Sequence, residues 1–259
     1  MKKFSQKNIL ILLFLLPLLL HPAFSEASPP INRGEEILNK LDDMFRGESS
    51  HSIILMKIKT AHYERSMEME GWSKGKEKSL ITILKPLKEK GTTTLKSDNN
   101  IFTYLPKTDR TIRITSGMMM GSWMGSHLTN DDLVKESRMS EDYESTISFE
   151  GNRDGKDIIE ITLIPRPEAP VVWGKIIVEV MADSYLPINE RYYSEDMELE
   201  RSMHFKSIKN IGGRRIPTIF RVVPADKPGE YTEITYQKIE FDMKLDEALF
   251  SISSLRKKN

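Results

Sequence analysis

Three observations predict a mainly β protein built on a strongly curved antiparallel sheet. Apolar residues recur at every second position through most of the chain, turn-forming pairs separate those runs, and one early segment alone carries a helical period. About ten strands of roughly 7–12 residues are expected, and at ~3.3 Å per residue they reach ~25–40 Å. Strands of that length suit a curved sheet or partly closed barrel better than two flat layers.

The chain begins with Lys2, Lys3 and Lys7, an apolar run from Ile9 to Leu20, and small residues at Ala23, Ser25 and Ala27. This is the pattern of a secretory signal peptide, expected to span 1–27 and to be cleaved after Ser25 or, preferably, Ala27. The apolar run falls short of the ~20 residues that a membrane-spanning helix needs, which leaves an uncleaved anchor as the lesser alternative. There is no cysteine, so a lipid-modified N-terminus is excluded and a bacterial periplasm is the expected compartment. Cleavage after Ala27 leaves 35 basic against 37 acidic residues, a balance unlike that of a nucleic-acid binder. Residues 28–259 are expected to form a single domain with no further membrane span.

In "INRGEEILNKLDDMFRG", Ile37, Leu38, Leu41, Met44 and Phe45 share one face. Asn32 is placed to cap this helix, Glu35 and Glu36 suit its first turn, and Gly47 ends it, predicting a helix over 33–46. Period two then takes over. Ile54, Met56 and Ile58 oppose Lys57 and Lys59, and Ile159, Ile161 and Leu163 repeat the pattern. Met197, Leu199, Met203 and Phe205 face away from Glu198, Glu200 and His204; "RIPTIFRVV" and "YTEITYQKIEF" continue the alternation. Asp154-Gly155 and Gly212-Gly213 suit tight hairpins, and Pro228-Gly229 marks a further turn. Arg214 and Arg215, at the exit of the second hairpin, are expected as exposed turn charges, with a lipid headgroup contact as the alternative.

"TSGMMMGSWMGSHLTNDDL" interrupts this rhythm after a hairpin formed by Ile101–Leu105 and Arg110–Ile114. The pattern resumes near Tyr143, so 115–140 is an excursion of loop and short helix, capped by Thr129 or Asn130. Excursions of this length are usually functional or disordered, and this one is too apolar for disorder.

Catalytic constellations are missing. There is no Gly-x-Ser-x-Gly and no thiol, and "GWSKGKEKS" lacks phosphate-loop spacing. His51, His62, His127 and His204 are scattered, without zinc-ligand spacing. No enzyme, cofactor or metal is therefore expected. Cu(I) held by Met118, Met119, Met120, Met124 and His127 is a remote alternative, because adjacent residues converge poorly on one ion.

"YLPKTDRTIRITSG…GSWMGSHLTNDDL" resembles the signature of the outer membrane lipoprotein-sorting protein family, similar to the periplasmic lipoprotein carriers of the Lol system. "YYSEDMELERSMHFKSIKNIGGRRIPTIFRVV" and "IEFDMKLDEALFSISSLRK" resemble its closing strands and final short helix. The chain departs from the family at Met118–Met120, where polar residues are common, at Trp123 for Phe, and at His127 for Asp. The resemblance implies a half-open antiparallel β-barrel of ten to eleven strands, covered by an N-terminal helix and a lid. It implies an apolar interior for the acyl chains of lipids or lipoproteins, with an inner-membrane transporter and an outer-membrane acceptor as partners of a monomeric carrier. A lipid-sensing regulator of the same fold is the alternative.

Withdrawing one acyl chain of ~14–16 carbons into water costs on the order of 10 kcal/mol, at ~0.8 per methylene. A carrier therefore needs a greasy cavity, and a lid to fill it when empty. Methionine packs adaptably and glycine frees the backbone. The sequence thus nominates Met118, Met119, Met120, Trp123, Met124 and Leu128 as inward-facing, whether as fixed core or as a mobile gate. Gly117, Gly121 and Gly125 are candidate hinges. Arg110 and Arg113 are candidate lid or headgroup contacts, although a solvated strand face is their default. His127 is expected to point outward.

Overall fold

The computed structural model describes residues 32–135 and 138–256; the expected leader lies outside them. Helix α1 (Arg33–Arg46) forms where its period places it, with the Asn32 side chain accepting from the Glu35 amide and the Gly47 amide donating to Asp43 O. Ile37, Leu38 and Leu41 are buried, and Phe45 packs against Phe205 and Phe220 at 6.3 and 5.0 Å between ring centroids. Both helix ends are tied down. Arg33 grips Glu150 through two bonds of 2.7 and 2.8 Å, and Arg214 donates to Asp43 O and, at 2.7 Å, to Asp242. Arg214 is thus a clamp on the helix C-terminus, where a cation is favoured, rather than a free turn charge. Gly34 allows the close approach at the other end, because a Cβ there would sit 2.9 Å from Ser145 Oγ.

The rest of the described chain is mainly strand. β1 (Ser49–Lys59), β2 (Glu64–Lys74), β3 (Lys78–Lys85), β4 (Thr93–Ser97), β5 (Asn100–Leu105) and β6 (Arg110–Ile114) follow one another as a meander. β7 (Tyr143–Arg153), β8 (Lys156–Pro165), β9 (Lys175–Met181), β10 (Pro187–Tyr193), β11 (Leu199–Ile211), β12 (Arg214–Pro224) and β13 (Tyr231–Phe241) form a second. β13 pairs with β1, joining them into one antiparallel sheet ordered β6-β5-β4-β3-β2-β1-β13-β12-β11-β10-β9-β8-β7. The turns at Asp154-Gly155 and Gly212-Gly213 have positive φ at both residues, as two-residue hairpins require.

The sheet is open, with β6 and β7 as its edges. It has thirteen strands, more than the ten to eleven expected. β4 escaped notice because both its faces are covered. In "TTLKS" of β4, four successive residues are buried, so no polar–apolar alternation exists to read.

One core cluster joins α1 residues to β1, β2 and β3 and to β8 through β12, so the sheet curls around the helix. On the other face of β3–β5, Leu80, Leu95 and Tyr104 pack against Phe250 and Leu255. These last two belong to 3-10 turns at Glu247–Phe250 and Ile252–Arg256, which stand where a final short helix was expected. Glu247 anchors the turns between Lys74, at 2.5 Å, and Lys78. Among the described residues no helix is long and apolar enough to cross a membrane.

Hydrogen bonds from Lys74 and then Lys78 hold the Glu247 carboxyl at about 2. A depressed folded-state value means that this anchor is whole above the ordinary carboxylate range and is lost as pH falls through it towards about 2. Protection from amide exchange at Leu249–Leu255, taken relative to the intrinsic rate at each pH, should therefore fall across that window. In Glu247→Gln that protection should be low throughout, with no step.

Candidate functional site

The lid is the segment that carries the chain from β6 at one sheet edge to β7 at the other. It starts with a 3-10 turn at Ser116–Met118, makes another at Trp123–Gly125, and continues through α2 (Asp132–Lys135) and α3 (Met139–Asp142). Internal hydrogen bonds make it compact. The Trp123 amide donates to Leu128 O at 2.7 Å, and Asn130 Nδ2 donates to Met118 O and Gly121 O at 3.0 and 3.2 Å. Thr129 and Asp132 cap α2 reciprocally, each backbone N–H donating to the other's side chain, at 2.7 and 3.2 Å.

Between the lid, α1 and the concave sheet face lies a cavity of about 250 Å³. Leu38, Leu41 and Phe45 of α1 form one wall; Ile54, Ile81, Phe220 and Tyr236 represent the sheet; Trp123, Leu128, Leu133 and Met139 come from the lid. Its volume is just below the roughly 300–1,000 Å³ of drug-sized pockets, and its lining is mostly apolar with a few polar groups, as ligand sites are.

The nominated residues divide. Trp123 is 3% exposed and Leu128 8%, and both line the cavity; the Trp123 indole donates to Thr94 Oγ1 at 3.2 Å. Met124, with a left-handed φ of 51°, is half-buried against the main core. The methionine triplet does not line the cavity, contrary to expectation. Met118 and Met120 are 43% and 53% exposed, while Met119 packs against a separate small cluster of Ile101 and Ile114. Successive residues leaving a turn point in different directions, so one of the three faces inward and two face water. The same divergence removes the geometric basis for a shared Cu(I).

Of the candidate hinges, Gly125 alone has a left-handed φ, of 70°; Gly117 stands in open space, and a Cβ on Gly121 would meet Met118 O at 3.0 Å. Arg110 and Arg113 are exposed on edge strand β6. Arg113 bonds Asn100 at 2.6 Å, and among the described residues neither arginine bonds a lid carbonyl. His127 does not point into solvent. Its side chain is 10% exposed, with Nδ1 2.9 Å from Thr232 Oγ1 and Nε2 3.0 Å from Glu230. It fastens the lid to the start of β13, and Tyr63 adds a bond of 2.7 Å to Gly125 O.

The strongest fastening was not foreseen. Arg201 of β11, 5% exposed, donates to both oxygens of Asp132 at 2.7 and 2.6 Å. Its guanidinium lies against the rings of Trp173 and Tyr192, at 4.7 and 4.4 Å. Burial opposes the Arg201 charge, but the Asp132 hydrogen bonds and carboxylate overcome it, and its pKa is raised. Glu190 is also buried and accepts from the Tyr192 hydroxyl; burial first, then the Glu190 charge, holds that hydroxyl protonated. Arg201, Asp132, Glu190 and Tyr192 all line the cavity. The signal was present in the alternation: Arg201 occupies the same face of β11 as Met203 and Phe205, a position where a charge needs a buried counter-ion.

A family model described as that of an uncharacterized protein matches residues 75–257, more than half of the chain. No curated protein matches in sequence. Solved structures share the fold. A DUF1329 family protein from Desulfovibrio piger is 24% identical, with a TM-score of 0.78 and coverage of 87% of this chain and 99% of its own. A LolA superfamily protein from Nitrosomonas europaea is 21% identical, with a TM-score of 0.72 and coverage of 85% and 98%. A domain from Vibrio parahaemolyticus, described as outer membrane lipoprotein-sorting, is 22% identical, with a TM-score of 0.73 and coverage of 86% and 98%. The resemblance read from "YLPKTDRTIRI" and its neighbours thus holds for the fold.

Removing one member of the Arg201–Asp132 pair leaves the other buried without its counter-charge. Asp132→Ala should lower unfolding stability by ~3–5 kcal/mol, whereas the double variant Arg201→Met/Asp132→Leu should recover most of it. Urea denaturation of the two variants checks this, and equal losses in both would contradict it.

Proposed function

We propose that this chain, which belongs to the family matched over residues 75–257, is a periplasmic carrier that holds acyl chains of lipids or lipoproteins in its cavity and moves them between membrane partners. The observation that carries this reading is the mostly apolar cavity of about 250 Å³, roofed by Trp123 and Leu128 of the lid. An acyl chain leaves a bilayer only if apolar surface replaces the surface it loses, at ~0.8 kcal/mol per methylene. A curved sheet with a helix inside and a crossing segment above provides that surface without exposing it when empty. The basic leader pattern of residues 1–27 supports export, and the lipoprotein-sorting description of the Vibrio domain supports the ligand class. The chemistry of such a carrier is binding and release rather than catalysis. An inner-membrane transporter would load it and an outer-membrane component would accept its cargo.

The cavity volume limits the cargo. Cargo bulkier than this space of about 250 Å³ requires Trp123 and Leu128 to withdraw. Gently extracted periplasmic protein should carry lipid detectable by mass spectrometry. It should also accelerate movement of a fluorescent acyl lipid between two vesicle populations. Leu128→Glu, which puts a charge in the cavity roof, should reduce that transfer at least roughly tenfold; Met118→Glu and Met120→Glu, on the outer surface, should leave it near wild type. Lipid binding without any transfer would point instead to a sensor, and neither binding nor transfer would end the carrier reading.

A further inference from the structure

The polar group inside the cavity has a consequence for which cargo opens the lid. Arg201 sits on the sheet and Asp132 on the lid, and the two-bond ion pair between them, at 2.7 and 2.6 Å, spans the space that cargo would enter. The same guanidinium also reaches His127 O of the lid at 3.4 Å. If the lid lifts, Asp132 leaves with it. Arg201, held between Trp173 and Tyr192, would then remain as a buried cation with no carboxylate at its fork. Stranding such a charge opposes opening by on the order of a hundredfold or more. A neutral chain entering the cavity does nothing to relieve that penalty.

We propose that the cavity selects amphiphiles with an anionic head, a carboxylate or phosphate, and that this head opens the lid by taking the place of Asp132 on Arg201. The proposal rests on the carrier reading and names the headgroup class for the same site. The exchange is electrically balanced, because one anion replaces another on the same planar donor fork, which suits carboxylate and phosphate alike. Glu190, a second acid lining the cavity, accepts from the Tyr192 hydroxyl and its charge also favours the Arg201 cation; it stands on β10 rather than on the lid, so the incoming head would meet the field that Asp132 meets now. With Trp173, Tyr192, Met203 and Phe205 around it, the pair is nearly buried, its side chains 6% and 13% exposed, and charge-assisted bonds are strong in such surroundings. Asp132 is therefore a built-in competitor for the ligand's head as well as a latch.

Those two roles predict opposite effects of the same substitution. Displacement of phenylnaphthylamine from the full-length mature protein can be compared for dodecanoate, dodecyl phosphate and dodecanol, which share one chain. In wild type, at least one of the two anions should act at roughly tenfold lower concentration than the alcohol. Asp132→Asn removes the competing charge and should widen that gap by roughly another tenfold. Arg201→Met should close it, and Arg201→Lys, which keeps the cation but not the fork, should retain part of it. The relative effects of dodecanoate and dodecyl phosphate identify the head. Equal action of all three amphiphiles on wild type and Asp132→Asn would overturn the headgroup proposal while leaving the cavity reading intact. Weaker anion binding in Asp132→Asn, matched by the alcohol, would make Asp132 merely structural and also overturn it. Failure of every amphiphile to displace the dye, or of the dye to bind, would remove the carrier reading beneath it. Should Arg201→Met fold poorly, Arg201→Lys and Asp132→Asn decide the matter.

Discussion

The sheet does not close, yet the chain must travel from one of its edges to the other. β6 and β7 are the two edges, and they are consecutive in sequence. Every other link between successive strands joins neighbours, so the segment after Ile114 is the one connection between successive strands that spans the opening of a curled sheet. This single constraint places a lid over the concave face, and a lid over a curved apolar sheet creates a cavity. The segment does not need to be attracted to the opening by a ligand or partner, because the strand order takes it there.

A crossing segment over an apolar hollow must be held without filling the hollow completely. The chain meets that requirement with polar fasteners at separate points: Arg201 to Asp132, His127 to Thr232 and Glu230, Trp123 to Thr94, and Tyr63 to Gly125. Their donors and acceptors lie on β11, β13, β4 and the β1–β2 turn, so the lid is tied to distant parts of one sheet. Apolar packing holds Trp123 and Leu128 inward without directional preference, whereas the hydrogen bonds fix where the lid rests. Packing tolerates displacement, whereas a buried ion pair resists it, because separation leaves each charge buried without its partner.

The methionine triplet shows how composition can mislead about direction. Three adjacent soft side chains suggest a cavity filler, yet a turn spreads neighbouring residues over different directions. Met119 fills the small gap beside Ile101 and Ile114, and Met118 and Met120 meet water. Trp123, one side chain on a hydrogen-bonded loop, serves as the roof instead. Arg201 illustrates the opposite case. It was passed over as one charge among many, although its parity with Met203 and Phe205 put it on the buried face. Finding it required asking which strand positions violate the alternation, rather than which obey it.

Local information determined much of this protein. The helix over 33–46, its Asn32 and Gly47 caps, the two-residue hairpins, the inward faces of β1 and β8, and the limits of the lid all follow from dihedral preference and side-chain period within a few residues, whereas Met197 and Leu199, read as one face with Met203 and Phe205, are exposed. The characteristic segments around Tyr104–Arg113 also identified the fold. Tertiary structure decided what local rules cannot reach: that β13 pairs with β1, that the fully covered β4 is a strand, and that Asp132 meets Arg201 across 69 positions of sequence. Those outcomes depend on which surfaces face each other once the sheet curls. A period of two specifies a face but never its partner.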